Sequence, residues 1–163
     1  MGKNDSSGAM TPRDISWQWS RFSELTPEDL YAVVRLREAV FIVEQKCPYP
    51  DADGRDPVAW HLLGWLKRSQ SRTLAAYARV FEPGLRYEQG SIGRIVTDPH
   101  FRGGGFGRAL MAEALDRLDS LAPGQTIKLA AQRRLEKFYA GYGFRTISEP
   151  YEEDGIIHID MLR

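Results

Sequence analysis

The sequence predicts one α/β domain: a mixed sheet (α+β in character) with helices on both faces. Three observations carry this. Segments with an apolar period of two alternate with segments of helical period, in the order β-α-β-β-β-α-β-α-β-β across residues 14–163. Residues 91–132 read as strand, glycine loop, helix and strand, the order of a right-handed parallel crossover. Two apolar segments near the end flank Glu152-Glu153-Asp154-Gly155, a hairpin that makes the sheet mixed. Residues 1–13 are small and polar and are set apart as a disordered N-terminal segment.

Each element has its own signal. Residues 15–19 alternate as a first strand. Thr26 then stands as an N-cap, with Pro27 at the first helical position and Glu28 and Asp29 in the first turn. Leu30, Val33, Val34, Val40 and Phe41 form the apolar stripe of a helix ending near Glu44. Prolines 48, 50 and 57, aspartates 51, 53 and 56, and Gly54 make 47–57 a loop. Residues 60–66 and 74–81 read as strands joined by a polar turn at 67–73, and 91–97 as the strand feeding the glycine loop. From 105 to 121, Phe106, Leu110, Ala114, Leu118 and Leu121 share a helical face, with Glu113 and Arg117 paired at i,i+4 opposite. A short buried strand at 126–132, a helix at 135–142 ended by Gly143, and the hairpin strands 145–151 and 156–162 complete the domain.

Composition bounds the function. The 163 residues, 42% hydrophobic and 27% charged, fit one soluble globular domain with a proper core. Lys+Arg and Asp+Glu balance at 22 each, so no net charge draws the chain to nucleic acid or to an anionic membrane. No apolar run approaches the ~20 residues of a membrane span. The polar N-terminus has no signal-peptide character, and the single Cys47 excludes an internal disulfide, so the expected location is the cytoplasm. Three histidines and one cysteine at unrelated spacings give no metal site.

The most informative stretch is Thr97-Asp98-Pro99-His100-Phe101-Arg102-Gly103-Gly104-Gly105-Phe106-Gly107-Arg108. Consecutive glycines free the backbone for positive φ, and the helix that follows offers unpaired N–H groups and a positive dipole end to a phosphate. Arg102 and Arg108 flank the loop and add positive charge. Arg108-Ala109 replaces the Lys-Ser/Thr of a Walker A loop, and the dinucleotide fingerprint fails at its third glycine. Arg-x-x-Gly-x-Gly does fit, at Arg102, Gly105 and Gly107.

That pattern resembles the pyrophosphate-binding signature of the GCN5-related N-acetyltransferases (GNAT), which grip acyl-coenzyme A there. The core Phe138-Tyr139-x-x-x-Gly143-Phe144, following Gln132, resembles the other half of the family's cofactor site. The elements Arg37-x-x-Val40-Phe41-x-Val43-Glu44-Gln45, Cys47-Pro48-Tyr49, Asp53-Gly54, Tyr151 to Gly155 and His158-Ile159 resemble the ElaA-like branch from about Ile15 to the C-terminus.

The resemblance implies the GNAT fold, acetyl-CoA as acyl donor, and transfer to a primary amine of a small molecule or peptide by direct attack on the thioester. It implies that a bulge splays the strand containing Ile95, Val96 and Thr97 from residues 129–132, and that pantetheine fits the gap. Arg102, Gly103, Gly104, Gly105, Phe106, Gly107 and Arg108 would hold the pyrophosphate, with Gln132 and Phe138 completing the cofactor site. The loop 47–57 would border the acceptor.

Tyr139 occupies the position of the acid that protonates the departing thiolate; a phenol near pKa ~10 can donate to a thiol near ~8.5. A core tyrosine bonded to a carbonyl is the alternative. For the base, Glu44, His61, Glu153, His158 and a water chain all compete. His158 shares a strand face with Asp160, which could orient its ring. Cys47 reads as inert or as an acyl-enzyme nucleophile. Arg133, Arg134 and Lys137 either neutralise the 3′-phosphate or form a solvated face. The acidic residues Asp51, Asp53, Asp56, Glu152, Glu153 and Asp154 suggest a mouth attractive to a cationic amine. An acyl-homoserine-lactone synthase and a non-catalytic acyl-CoA sensor are the rival functions. Strand edges and the first helix permit a homodimer.

Overall fold

A computed structural model describes residues 9–163; residues 1–8, the larger part of the N-terminal segment set apart above, lie outside the described residues. Met10 packs beside Leu66, Ala75 and Phe106, and Pro12–Asp14 forms a 3-10 turn leading into the first strand.

Among the described residues, eight strands form one mixed sheet. They are β1 (Ile15–Arg21), β2 (Trp60–Arg68), β3 (Ser71–Phe81), β4 (Gly90–Thr97), β5 (Ile127–Gln132), β6 (Arg145–Thr146), β7 (Tyr151–Glu153) and β8 (Ile156–Leu162). Their order is β1-β2-β3-β4-β5-β8-β6, with β7 also paired to β8. Helix α1 (Pro27–Arg37) covers one face, and α2 (Phe106–Leu121) with α3 (Glu136–Ala140) covers the other. Alternation along the strands divides the core: Leu62, Ala76, Ala78 and Val80 meet Leu110, Met111, Ala114 and Leu118 of α2. Leu63, Trp65, Tyr77 and Val96 meet Val33 and Leu36 of α1. Burying each such Leu or Val stabilises the fold by roughly 1.5–3 kcal/mol. No helix of the described residues is long and apolar enough to cross a membrane.

Three elements differ from expectation, each for a local reason. The 67–73 turn contracts, because β2 and β3 extend until Arg68 pairs with Ser71 and Ser69 takes a φ of 55°. The first helix starts as expected: Thr26 Oγ1 accepts from the Asp29 N–H at 3.1 Å, and Asp29 answers from its carboxylate. It is not one α-helix, however. Past Arg37 it widens into a π-helical segment, Glu38–Glu44, and the Gln45 N–H reaches back five residues to the Val40 carbonyl. Leu36 and Arg37 are accordingly buried, while Val34 of the expected stripe is exposed. The strand expected over 145–151 is split into β6 and β7. Pro150 has no N–H to give a ladder, and Ser148 Oγ, not a backbone carbonyl, accepts from the Asp160 N–H at 2.8 Å. Asp154 (φ 50°) and Gly155 (φ 76°) make the tight turn between β7 and β8.

What positions the site is the parting of β4 and β5. They pair in parallel only at Gly90–Ile127 and Ser91–Lys128. From Lys128 to Gln132, β5 instead runs antiparallel to β8. On its other side β4 bulges: Tyr77 faces Val96 and Arg79 faces Gly93, so Ala78 alone opposes both Arg94 and Ile95. Arg94 takes a φ of 50° there, and the strand bends away from β5.

Candidate functional site

The parted strands open a cleft of about 610 Å³. Ile95, Val96 and Thr97 line one wall, and Ala130, Gln132, Leu135, Phe138 and Tyr139 line the other. Past Ser91, the β4 backbone groups that turn towards β5 have no strand partner, so they are free to pair with an extended polar ligand.

At the C-terminal end of β4 the chain turns into the glycine loop. Asp98 accepts from the His100 N–H at 2.9 Å and starts a 3-10 turn, Pro99–Phe101. Gly103 and Gly105 follow at φ 81° and 88°, a region where an L side chain is strained. Gly105 caps α2 without a side chain, so the N–H groups of Phe106, Gly107 and Arg108 have no partner within the helix. Three convergent N–H groups at a positive dipole end suit a pyrophosphate.

The flanks of the loop, Arg102 and Gly107, line the cleft, whereas Gly103, Gly104, Gly105 and Arg108 lie outside its wall. Phe106 departs from its expected place: its ring is buried beside Phe101 and Leu66, so its side chain is core and only its N–H faces the loop. Arg102 pairs with Glu44 at 2.9 Å. A phosphate at the loop would compete for that guanidinium.

Tyr139 is 6% exposed and lines the cleft. Burial pushes its phenol up to about 12, and Arg134 pulls back only partly. Tyr139 also belongs to the buried core, beside Phe144, and among the described residues its hydroxyl forms no hydrogen bond with the protein. Phe138 packs edge-on against Tyr139 at 5.1 Å and Tyr142 at 5.5 Å, holding the hydroxyl's helix in place. Gln132 accepts from Arg134 at 2.9 Å and donates to Gln45 at 3.3 Å, tying the β5 wall to the π-helical segment.

His158 also lines the cleft, half-buried, opposite Gln132 across β5 and β8. Its Nδ1 donates to the Ile156 carbonyl at 2.8 Å, which leaves Nε2 as the proton acceptor. The expected partner is not the one observed. Asp160 is engaged by Lys128 at 2.8 Å and by the Tyr151 hydroxyl at 2.8 Å, so it does not hold the imidazole; Tyr151 instead stacks on the ring.

The other base candidates separate cleanly. His61 is fully buried outside the cleft, between the Tyr77 hydroxyl at 2.8 Å and the Asp56 carbonyl at 3.0 Å, and burial lowers its pKa. Glu44 is occupied by Arg102, while Glu153 lines the cleft, exposed. Cys47 is buried and its thiol lies 3.4 Å from the Gln45 carbonyl and 3.3 Å from that of Asp154, joining the 47–57 loop to the hairpin.

The loop's acidic residues are not an open acidic mouth. Asp51 pairs with Arg37 at 2.6 Å and Arg94 at 2.7 Å. Asp53 pairs with Arg79 at 2.7 Å, and Asp56 with Arg37 and Arg79 at 2.8 Å each. Burial pushes the Asp53 and Asp56 carboxyls up, but the arginine hydrogen bonds and charges override it and hold both below the usual range. Three aspartates are thus matched by three arginines from α1, β3 and β4. The sequence shows each residue, but nothing in their spacing announces the match. Arg94 and Arg86, which also line the cleft, were missed for the same reason.

A family model described as an acetyltransferase (GNAT) domain matches residues 68–163. Protein ElaA of Escherichia coli strain K12 is 42% identical over 151 residues, 91% of this chain and 96% of that protein. The E. coli ElaA crystal structure has a TM-score of 0.83 over 91% of this chain and 99% of that one. An acyl-CoA N-acyltransferase from Pseudomonas aeruginosa, 40% identical, has a TM-score of 0.85 with the same coverage of both chains. A CoA-dependent acyl-homoserine lactone synthase, BjaI, has a TM-score of 0.71 over 91% of this chain and 82% of that one. At 13% identity that likeness is one of fold alone.

Proposed function

This chain belongs to the GNAT acetyltransferase family, in its ElaA-like branch, and from that premise we propose that it moves an acetyl group from acetyl-CoA to a primary amine by direct attack. The observation that carries the reading is the parting of β4 from β5 between a glycine loop at one end and Tyr139 with His158 in the walls. The fit to acetyl-CoA rests on the unpaired β4 edge and on the uncapped N–H groups behind Gly105.

When bound, acetyl-CoA supplies the thioester carbonyl. Arg102 and the N–H groups of residues 106–108 would hold the pyrophosphate, and the open edge at Ile95, Val96 and Thr97 would orient the pantetheine arm. An N–H on that edge would also face the charge that develops on the carbonyl oxygen. Tyr139 holds a proton on its phenol oxygen for the leaving sulfur. The His158 Nε2, kept free by the Nδ1 bond, takes the proton from the attacking amine. Cys47 has no part, since two carbonyls hold its thiol away from nucleophilic use.

A panel of primary amines tested for amine-dependent release of free CoA checks the reading. Release that tracks one amine class supports it. Tight acetyl-CoA binding without release from any amine would mark a sensor, and release only with S-adenosylmethionine would mark a lactone synthase.

A further inference from the structure

The charges lining the cleft do not cancel evenly. Four arginines line it: Arg86, Arg94, Arg102 and Arg134. Arg94 is neutralised by Asp51, Arg102 by Glu44, and Arg134 is bonded to Gln132 beside α3. Among the described residues no carboxylate lies within ion-pair distance of Arg86, although it is half-buried.

Arg86 rests against two neighbours. Its guanidinium lies across Gly93, immediately before the β4 bulge, where a Cβ would stand 3.1 Å from the guanidinium nitrogen. It also sits 5.2 Å from the centre of the Tyr87 ring. From there a chain of contacts behind the cleft lining leads to His158. Lys128 sits over Tyr87 at 4.6 Å and pairs with Asp160, which accepts from Tyr151, which stacks on the imidazole. An uncompensated guanidinium therefore lines the same cleft as the group that would deprotonate the amine. Glu153 and Asp154 line the same cleft from the hairpin and offer the opposite charge.

We propose that Arg86 is an anion-binding residue of the acceptor pocket, and that the amine acetylated here also carries a carboxylate or phosphate. This rests on the acetyltransferase reading above. The guanidinium would take the anionic oxygens in a forked hydrogen bond, fixing the amine end towards His158. An acceptor bearing both charges also explains why the pocket presents both signs rather than the uniformly acidic mouth the sequence suggested.

The test compares phenylalanine with phenylalaninamide, and phosphoethanolamine with ethanolamine, on the wild type, Arg86→Gln and Arg86→Lys. The wild type should favour the anionic member of at least one pair, and which pair it favours separates carboxylate from phosphate. Arg86→Gln should raise KM for that member by about 10- to 100-fold more than for its neutral partner, with kcat changed little. Arg86→Lys should recover part of the loss. Equal effects on both members, or a wild-type preference for the neutral amines, would overturn the proposal. Calorimetric binding of the same four compounds reads the pocket without turnover. Binding of an anionic member that Arg86→Gln abolishes would sustain the anion site even if no amine is acetylated. Absence of binding and of preference together would refute it.

Discussion

At the residue scale the proposed transfer depends on two proton positions, and the surroundings of each decide its behaviour. Tyr139 is buried, so its phenol rises to about 12 and keeps its proton throughout the ordinary working range. Tyr139→Phe removes only the hydroxyl. We expect kcat to fall towards the lower end of the ~10²–10⁴ range of general acids, because a thiolate is already a fair leaving group. Acetyl-CoA affinity should hold. Between about pH 6 and about pH 10 the shape of the rate profile should also hold, since Tyr139 does not ionise there. A basic limb near the ordinary phenol value that disappears in the variant would show a less buried hydroxyl. Tyr139 was legible in the sequence through its motif. The setting of His158 was not. Alternation along the strand correctly puts His158 and Asp160 on one face, yet it cannot show that Lys128 and Tyr151 engage the carboxylate first. Asp160→Asn should therefore leave kcat/KM nearly unchanged, whereas His158→Gln should lower it by about 10²-fold or more. An equal loss in both variants would restore Asp160 as the orienting group.

At the element scale the junction of β4, glycine loop and α2 was the most readable part of the chain, because positive φ and a phosphate cradle demand particular residues. Gly103 and Gly105 do take positive φ, so substituting either strains the fold as well as the site. Gly107 separates the two effects. It lies in the first turn of α2, lines the cleft, and its Cβ would make only an ordinary contact with Thr97 Oγ1 at 3.6 Å. Gly107→Ala should leave Tm unchanged or slightly raised, since Ala suits a helix better by about 1 kcal/mol. It should weaken acetyl-CoA binding by about tenfold or more, a loss of roughly 1.4 kcal/mol or more. Unaltered binding by calorimetry would remove the pyrophosphate from the loop. The π-helical widening after Arg37 and the split of the penultimate strand were less readable. Both arise where a side chain or tertiary contact replaces a regular backbone bond, as Ser148 does at Asp160.

At the scale of the whole molecule, three arginines and three aspartates tie α1, the 47–57 loop, β3 and the β4 bulge together. Arg79 is fully buried and holds both Asp53 and Asp56. Arg79→Leu takes the main partner from Asp53 and one of two from Asp56, and should cost about 3–5 kcal/mol, read as a fall in the urea midpoint. Asp53 and Asp56 titrate below their ordinary range, so the stability they contribute is present above about pH 4 and is lost as pH falls through their folded values. A wild type that loses no stability below pH 4, or an Arg79→Leu variant that loses more there than the wild type, would contradict the network. The order of strands across the sheet was not read, but the order of helices and strands along the chain, and a mixed sheet with helices on both faces, could be read from periodicity. The network could not, because its members lie far apart in sequence and only the folded loop brings them together.

In the proposed reaction a thioester held between β4 and β5 is attacked directly by an amine, with no acetylated protein in between. One measurement bears on it directly: a single turnover with stoichiometric acetyl-CoA, followed by free-thiol release and by the mass of the intact protein, with and without an accepted primary amine. We expect one thiol released per amine acetylated, no burst in the amine's absence, and a protein mass unchanged throughout. A thiol burst without amine, matched by a protein heavier by one acetyl group, would contradict direct attack and return Cys47, for all its two carbonyl contacts, to the reaction.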